Sequence, residues 1–549
     1  MNARKLIFVL VLLLAAGTLF AGGGTQNSGS AASNGKQTLV IGMQTNPYIS
    51  DYKNNYLTKL LEEKFNINIE FYMLPVDAGE LRTKVALMVS SNDLPDVIST
   101  SNALTGDQIL DYGSKGAFIP LNKYLDDPAK TPYFAKILPD DKANIIRTTT
   151  SADGNIYVLA RFEPDIWNQT PYRYYINQAW IDQLGLKTPT TTDELRNVLI
   201  AFRDRDPNGN GRKDEIGITG QFSGGYGENV IAALINSFVF WNPDNLALDA
   251  AGNKVIAPFT DPAFRQAIVY LNGLFKDGVL APSIFTNNQQ EFRATLNSTP
   301  PVVGLTTAGS WGNWSDTNNN KNFVQLKMIA PLKGPGGIAY TPYQDYVPAL
   351  STVITSKCKN PDLAMQIFDY FYEYNMSLTV RYGEEEADWT QRPEDLGKVT
   401  NAYVALGLFP KLTKVLLTDK WSEPYNKTWH NNNPRYTTLE VANTTGSYVS
   451  PYDGSLPTAL LQAYNYQLYI DKHPRFILPQ LKYTVEETQK IAEPVTNINE
   501  YVRQSIAEFV TGARDVNTGW DGYIRELNNM GLQTWLGAAQ SSYDRQQGR

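Results

Sequence analysis

The stretch that decides the fold is residues 38–100, and four of its pieces carry the pattern: TLVIGM (38–43), NYLTKLLEEKF (55–65), INIEFYML (67–74) and ELRTKVALMVSSNDLPDVIST (80–100). The first and third pieces are rich in β-branched and aromatic residues, which favours strands. In the second piece, apolar residues recur at helical spacing on one face: Leu57, Leu60, Leu61 and Phe65. The fourth piece predicts a helix that runs into a third strand. This β-α-β-α-β order requires parallel strands with helices packed on them. The loops after Met43 and Ile98 are therefore candidate ligand contacts at the carboxyl ends of strands.

Length and composition limit the class of protein. A chain of 549 residues exceeds the size at which one hydrophobic core keeps growing, so we expect at least two lobes. Hydrophobic residues make up 42% and charged residues 19%, which is typical of a globular protein. The formal net charge of −7 argues against a nucleic-acid partner, because binding phosphates needs a basic face. The 32 Tyr and 10 Trp supply many amphipathic rings, which suit a core or a half-wet contact surface.

The amino terminus predicts export. Arg4 and Lys5 precede an apolar run and then small residues, which is typical of a secretory signal peptide covering residues 1–21. Cleavage after Ala21 fits this pattern, and cleavage after Gly17 is the alternative.

The residues that follow bear on anchoring. Gly22 stands where a bacterial lipoprotein carries its acylated cysteine, so we expect an exported, periplasmic or extracytoplasmic protein without a lipobox cysteine. Residues 22–36 are rich in Gly and Ser and predict a flexible linker. The single cysteine, Cys358, leaves no internal disulfide and is best explained as a small buried side chain.

Two helices are marked by their ends. In YRYYINQAWIDQLGLKTPTTTDEL (172–195), a short helix stops at Gly185, and Thr191 or Thr192 can cap the helix that follows. Further on, TDPAFRQAIVYLNGLFKDGVL is strongly periodic and predicts a helix ended by Gly278.

A loop rich in Asp and Asn, DRDPNGNGRKDEIG (204–217), comes after the capped helix. Alternating oxygen-bearing side chains around glycines is the pattern with which proteins wrap a hard cation such as Ca²⁺. Two registers fit: one starts at Asp204 and places Glu215 twelfth, as in an EF-hand, and the other starts at Asp206. A solvated Asn-Gly turn is the plain alternative. Because nothing suggests a paired helix that could open, a bound Ca²⁺ would be structural rather than part of a sensor.

Phrases spread from about residue 38 to the carboxyl terminus resemble one family: LPDVI, DGNIY, INQAWIDQLGLKTPTTTDEL, DPNGNGRKDEI, FRQAIVYLNGLFKDGVL, ITSKCKNPD and FVTG…WDGYIRELNNMGL…YDR. They are similar to the large extracellular solute-binding proteins of family 1. These are the receptors of carbohydrate ABC importers, and they include the alginate-binding proteins and the LipO-like lipoproteins. The missing cysteine at Gly22 departs from the commonest pattern of that family and puts surface anchoring in doubt.

The resemblance implies an α/β, two-lobed periplasmic-binding-protein (Venus-flytrap) fold with discontinuous lobes and extra carboxyl-terminal helices. Residues 37–160 and 331–375 would form lobe 1, and residues 161–330 and 376–549 would form lobe 2 with the calcium loop. The implied function is capture of an oligosaccharide in the cleft between the lobes and delivery to the permease subunits of an ABC transporter. We expect a monomer.

The resemblance also implies site residues. It selects the second register of the loop, with a structural Ca²⁺ held by Asp206, Asn208, Asn210, Arg212 through its carbonyl, Asp214 and Glu215. Sugars need aromatic faces for their apolar C–H patches and planar polar groups for their hydroxyls. We expect such contacts from eight residues: Arg161, Trp167, Tyr172, Arg173, Trp311, Trp314, Tyr343 and Trp389. If the ligand is acidic, Arg161 and Arg173 could pair with its carboxylates.

Two other functions fit part of the sequence. A secreted polysaccharide-cleaving enzyme would need a pair of carboxylates, which EEEADW (384–389) could supply. The only histidines are His430 and His473, neither of which has a metal-binding spacing, and the sequence contains no nucleophile elbow or phosphate loop. A surface glycan adhesin would bind long chains without closing a hinge. We therefore expect a binding protein and not an enzyme.

Overall fold

A computed structural model describes residues 36–46, 49–222, 226–310, 313–315, 322–399, 401–405, 407–418, 425–447 and 467–549. The predicted signal peptide and nearly all of the predicted linker lie outside these described residues, as does Trp311.

The strands are, in chain order, β1 (Gln37–Gln44), β2 (Ile67–Leu74), β3 (Val97–Ser99), β4 (Leu159–Phe162), β5 (Arg173–Asn177), β6 (Ile216–Ile218), β7 (Ala247–Leu248), β8 (Val255–Ile256), β9 (Val303–Ala308), β10 (Leu326–Ile329), β11 (Ala349–Ile354), β12 (Trp389–Thr390), β13 (Lys414–Leu416), β14 (Arg435–Tyr436) and β15 (Thr445–Ser447).

The α-helices are α1 (Tyr56–Phe65), α2 (Ala78–Ser90), α3 (Gly106–Ser114), α4 (Asn122–Leu125), α5 (Pro139–Thr149), α6 (Gln178–Gln183), α7 (Thr192–Asp204), α8 (Val230–Ile235), α9 (Pro262–Lys276), α10 (Gln289–Leu296), α11 (Pro361–Tyr370), α12 (Tyr374–Tyr382), α13 (Pro393–Leu396), α14 (Ala402–Ala405), α15 (Leu439–Asn443), α16 (Val485–Thr511), α17 (Val516–Asn529) and α18 (Leu532–Gln546). Short 3₁₀ turns include Ile166–Gln169.

The first sheet has the strand order β14-β4-β11-β3-β1-β2. Strands β1 and β2 are parallel over their whole length, with Gln37 opposite Ile67, and β3 runs parallel to β1 on its other side. Strand β11 is antiparallel to both β3 and β4, and β14 is parallel to β4. The predicted β-α-β-α-β start is therefore confirmed, and the carboxyl ends of β1 to β4 lie at one edge of the sheet.

Helices and loops cover both faces of this sheet. On one face Ile41 packs in a buried cluster with Phe368 of α11, and on the other Ile98 packs in a second cluster with Leu81 of α2. Strands that are buried on both faces need apolar side chains at successive positions, which explains the continuous run TLVIGM.

The second sheet has the order β10-β5-β9-β6, in which β5 is antiparallel to both neighbours and β6 is parallel to β9. Its core joins Phe202 of α7 and Ile268 of α9 with the carboxyl-terminal helices, which contribute Ile506 and Trp535. The expected extra helices are thus part of the second core.

Local signals in the sequence explain the ends of these helices. The sequence left Thr191 and Thr192 open as the cap of α7, and the structure selects Thr191, whose hydroxyl accepts a hydrogen bond from the Glu194 amide at 3.2 Å. Gly185 and Gly278 follow α6 and α9 with φ of 62° and 69°, a left-handed conformation that glycine adopts without strain.

The chain crosses between the sheets more than once. It leaves β4 for β5 through residues 163–172, here called the first crossing, and returns from β10 to β11 through residues 330–348, the second crossing. Strand β14 pairs with β4 and Trp429 is buried in the first core, so this part of 376–549 lies with the first lobe and not, as predicted, with the second. A two-residue strand has too few residues for a periodic signal, so the sequence did not reveal it.

Candidate functional site

The edges of the two sheets that the first crossing joins define the candidate site. This crossing starts at the carboxyl end of β4 and ends at the first residue of β5. Because β5 is antiparallel to β9, its first residue, Arg173, lies opposite Ala308, the last residue of β9. Strand β6 ends at the same edge because it is parallel to β9. Ligands of open α/β sheets bind at the carboxyl ends of strands, so we expect the ligand cleft at these two edges.

The two crossings contact each other and both lobes. The backbone amide of Gln344 donates to the carbonyl of Gln169 at 3.4 Å, which joins the second crossing to the first. On the side of the first sheet, the hydroxyl of Tyr346 accepts from the amide of Glu163 at 2.5 Å. On the side of the second sheet, Asn242 accepts from the amide of Tyr343 at 3.0 Å. Exposed residues of the second crossing, such as Gln344, lie between these two attachments.

Trp167 and Tyr172 lie together on the first crossing and are partly exposed. Trp167 belongs to the turn Ile166–Gln169, whose first amide groups are capped by Asp165: its carboxylate accepts from the Trp167 amide at 2.9 Å. Burial raises the pKa of Tyr172 to about 12, so its hydroxyl keeps its proton and can donate to a ligand. Both rings are thus partly exposed on the segment that links the two sheets, and their contact with a sugar remains a prediction.

Arg173 is placed differently from the prediction. Its side chain has 0% exposure, so the guanidinium has no surface that an acidic ligand could reach in this conformation. The guanidinium instead lies on the ring of Trp167, 3.6 Å from the ring centroid, and donates to the carbonyls of Trp167 and Gly309. Sequence spacing does not reveal this burial, because Gly309 is far away along the chain.

Arg161 lies on β4 within a buried charge cluster, here called the Glu163 cluster, which comprises Arg161, Glu163, Arg381, Asn431 and Arg435. The Glu163 carboxylate is 2.6 Å from Nη2 of Arg435 and 3.2 Å from Nε of Arg381. The Arg161 guanidinium donates to the carbonyl of Asn431 at 3.0 Å, and the Asn431 side chain accepts from Arg381 at 2.7 Å. The sequence analysis missed Glu163, Arg381 and Arg435. The spacing of Glu163 two residues after Arg161 was the signal available, since side chains two apart share a face of a strand.

The charges of this region shift several pKa values. Burial would raise the pKa of Glu163, but the guanidinium groups of Arg381 and Arg435 outweigh it and hold that pKa well below its usual range. Burial raises the pKa of Asp165 to about 6 and lowers the pKa of Lys414 to about 7. Lys414 lies on β13 with 0% exposure, and its ammonium donates to the carbonyl of Val441.

Tyr343 lies in the second crossing and is 7% exposed. Its ring stacks on His473 with 3.8 Å between centroids, and its hydroxyl donates to Asp345 at 3.1 Å. Burial raises the pKa of this hydroxyl. The ring supports the second crossing, and little of it is left for a ligand.

Two of the predicted contacts are buried aromatic residues of the cores. Trp314 is 0% exposed and packs edge-on against Tyr175 with 6.0 Å between centroids. Trp389 is also 0% exposed, and its Nε1 donates to the carbonyl of Gly383 at 2.9 Å. The prediction that these two rings stack on a sugar is therefore wrong for this conformation, because neither has an open face.

The Asp-rich loop between α7 and β6 folds around its own side chains. Asp206 accepts from the amides of Asn210 and Gly211 at 3.2 and 2.8 Å. The side-chain amides of Asn208 and Asn210 both donate to Asp214 at 3.0–3.1 Å. These bonds, led by the one from Asn208, lower the pKa of Asp214.

Glu215 is the last candidate ligand of the loop, and the surroundings of its carboxylate show whether a cation fits there. It is 8% exposed, and among the described residues neither of its buried carboxylate oxygens has a hydrogen-bond partner at normal geometry. Burial raises its pKa, and the nearby charges of Asp206 and Asp214 raise it further. A cation would relieve this desolvated, like-charged arrangement, and the oxygen donors are those that Ca²⁺ prefers. Within the described residues, however, no group of three or more His, Cys, Asp or Glu side chains converges on one metal position. The loop therefore has the chemistry of a calcium site without its closed geometry, and Arg212 is exposed beside it.

Two α/β lobes whose sheet edges are joined by crossing segments define the class of a two-lobed binding protein. A family model described as bacterial extracellular solute-binding protein matches residues 50–374, and this chain belongs to that family. This confirms the resemblance found in the sequence, and the family is one of binding proteins and not of enzymes. No helix within the described part of the chain is both long and apolar enough to span a membrane.

Individual relatives extend over the whole chain. The fructooligosaccharide ABC transporter substrate-binding protein FusA of Streptococcus pneumoniae is 26% identical over 566 aligned positions, covering 98% of this chain and 97% of FusA. The structure of a FusA EF-hand mutant in complex with fructo-nystose superposes with a TM-score of 0.74 at 23% identity, covering 93% of this chain and 100% of FusA. An HMO-binding, ABC-transporter-associated solute-binding protein from Bifidobacterium longum infantis gives a TM-score of 0.75 at 20% identity, over 93% and 99% of the two chains. Both superposed structures share the fold of this chain.

Proposed function

We propose that this protein captures an oligosaccharide between its lobes and delivers it to the permease of an ABC importer. The observation that carries the proposal is that the partly exposed rings of Trp167 and Tyr172 lie on the first crossing, which links the two sheets. Family membership supports the binding role, and the fructooligosaccharide transport role of FusA supports an oligosaccharide as the ligand class.

Binding would work through closure of the lobes. A ligand that touches both lobes binds the closed state better than the open one and shifts the population towards it. The two crossings are among the covalent links about which such a motion would turn. No chemistry on the sugar is needed, and ATP hydrolysis belongs to a partner subunit.

Calorimetric titration with kestose, fructo-nystose and acidic oligosaccharides tests the proposal. We expect one class to bind with a negative heat-capacity change and to reduce the radius of gyration measured by small-angle scattering. Binding of long polymers without any change in dimensions would instead indicate an adhesin. Release of reducing ends during incubation would indicate an enzyme and overturn the proposal, as would failure of all three classes to bind.

We also propose that the Asp-rich loop holds a structural Ca²⁺ that stabilises the second lobe. The donors would be Asp206, Asn208, Asn210, the carbonyl of Arg212, Asp214 and Glu215. The unpartnered, buried carboxylate of Glu215 supports this, as does the EF-hand named for FusA. When bound, the ion would offset two of the three negative charges of Asp206, Asp214 and Glu215, and the side-chain amides that now donate to Asp214 would have to turn their oxygens inward.

Chelation tests the calcium proposal. Protein purified with Ca²⁺ should lose thermal stability in excess chelator and regain it with added Ca²⁺ but not Mg²⁺, since a ligand of the folded state alone raises its stability. Glu215→Gln should abolish most of this calcium dependence, whereas Asp204→Asn should preserve it, because Asp204 pairs with Arg203 at 2.8 Å outside the proposed shell. An unchanged melting temperature in chelator would contradict the proposal.

The proposed function also includes removal of the signal peptide, a monomeric state and the boundaries of the two lobes. We infer that residues 1–21 are removed on export and that the mature protein acts as a monomer. The lobes would be divided near residues 160 and 330, with β14 and Trp429 returned to the first lobe. Amino-terminal mass spectrometry and light scattering of the exported protein test the first two statements.

A further inference from the structure

The side chain of Arg173 joins two separate loops of the cleft edge. Arg173 is the first residue of β5 and its guanidinium donates to the carbonyl of Gly309, directly after β9, and to that of Trp167 in the first crossing. With 0% exposure it cannot itself touch a ligand in this conformation. Any effect of Arg173 on ligand binding must therefore be indirect, through the groups to which it is hydrogen-bonded.

The Arg173 guanidinium stacks on the indole ring of Trp167 in a defined geometry. The guanidinium carbon lies 3.6 Å from the centroid of the Trp167 ring, which is the arrangement of a cation–π contact. Arginine combines this flat contact with several fixed N–H donors, whereas lysine offers a compact ammonium that cannot do both. The guanidinium thus holds the ring in plane and position on one side, and the ring also packs against the buried cluster that contains Tyr175 and Trp314.

A third loop, the one that contains Tyr226, contacts both of these loops. The amide of Gly309 donates to the carbonyl of Tyr226 at 2.5 Å, and the hydroxyl of Tyr226 donates to the side chain of Asn168 at 2.5 Å. The Tyr226 ring lies so close to Gly309 that an added Cβ there would be 1.9 Å from it. Trp167, Gly309 and Tyr226 are therefore interlocked around Arg173, at the edge where the second sheet faces the cleft.

We propose that Arg173 is a positioning residue that holds the Trp167 ring and the loops containing Tyr226 and Gly309 as one rigid platform for the sugar. The inference rests on the proposed function for its ligand, but the platform itself is a property of the unliganded protein. A platform that is ordered before binding spares the ligand the entropy cost of ordering it, which raises affinity.

The test compares Arg173→Lys with Arg514→Lys. Arg514 is a matched control, because its guanidinium lies 4.8 Å from the Phe509 ring and donates to the carbonyl of Gly519, far from the cleft edge. Acrylamide quenching of Trp167, obtained as the difference from Trp167→Phe in each background, needs no ligand. We expect the quenching constant of Trp167 to rise in Arg173→Lys and to stay unchanged in Arg514→Lys.

The dissociation constant for kestose is the second measurement. We expect Arg173→Lys to raise the Kd about tenfold. Adding Trp167→Ala to Arg173→Lys should raise it little further, because both changes remove the same platform. Unchanged quenching of Trp167 in Arg173→Lys, or losses of affinity that are fully additive, would overturn the inference. If wild-type protein does not bind kestose, the quenching reading still decides the role of Arg173, and only the sugar assignment fails.

A milder variant covers the case in which Arg173→Lys does not fold. Tyr226→Phe removes the Tyr226 hydroxyl, which bonds to Asn168 and also to the Arg173 guanidinium, and leaves the bonds from Arg173 to Gly309 and Trp167 in place. It should raise the quenching of Trp167 by a smaller factor while leaving the melting temperature close to that of wild type. No change in quenching with Tyr226→Phe would count against an interlocked platform.

Discussion

Replacing Glu163 with glutamine tests the charge cluster at the start of the first crossing. The substitution keeps the shape of the side chain and removes its charge. Arg435 then loses its carboxylate partner at 2.6 Å while remaining 0% exposed, and Arg381 loses its partner at 3.2 Å. Two guanidinium groups are left in a buried site without the anion that balanced them.

The expected cost follows from this burial. Removing one partner of a buried ion pair destabilises a protein by about 3–5 kcal/mol, because the remaining charge stays desolvated. The amide oxygen of glutamine still accepts one hydrogen bond, so we expect about 3 kcal/mol for Glu163→Gln. The control is Asp111→Asn in α3, whose partner Lys115 is 65% exposed, and here we expect less than about 1 kcal/mol.

The pH dependence has a defined sign. The pKa of Glu163 is lowered in the folded protein, so its contribution is present above the unfolded value of 4.5 and is lost as the pH falls through the folded value. The difference between wild type and Glu163→Gln should therefore be full at neutral pH and should shrink in acid.

Urea unfolding followed by circular dichroism measures the free energy of unfolding. Hydrogen exchange of peptides containing β4 and β14 shows whether the loss lies in the first lobe. If Glu163→Gln is no more destabilising than Asp111→Asn at neutral pH, then the cluster is not the desolvated pair that its geometry indicates, and the reasoning fails.

Three further predictions concern buried groups. Lys414→Met should stabilise the protein most below pH about 7, and the gain should shrink towards pH 10.5. The reason is that the lowered pKa of Lys414 makes the wild-type protein less stable as the pH falls. Melting temperatures of both proteins at pH 6 and pH 10 measure the difference. Asp165→Asn should stabilise the protein above pH 6 and make little difference near pH 4, since a raised carboxyl pKa costs stability as the pH rises; pH-dependent urea unfolding checks this. Trp314→Ala should lower the free energy of unfolding by about 3–5 kcal/mol. Trp314→Phe should leave the sugar Kd unchanged, and a clear loss of affinity in calorimetry would restore the ring as a ligand contact.

The sequence alone determined the order of elements and the family. The period of apolar residues, the cap at Thr191 or Thr192 and the terminal glycines depend on neighbours a few positions away, so they can be read directly from the chain; the choice of Thr191 came from the structure. The phrases around the Asp-rich loop carry the family resemblance for the same reason, because each is a local fold signal.

Only the tertiary structure decided which aromatic and charged side chains are accessible. Arg435 meets Glu163 across 272 positions, and Arg173 meets Gly309 across 136, and no local pattern predicts either pair. A tryptophan outside the regular elements can be partly exposed or fully buried, as Trp167 and Trp314 show. Burial depends on which segments pack against a ring, and that is set by long-range contacts that the linear pattern does not contain.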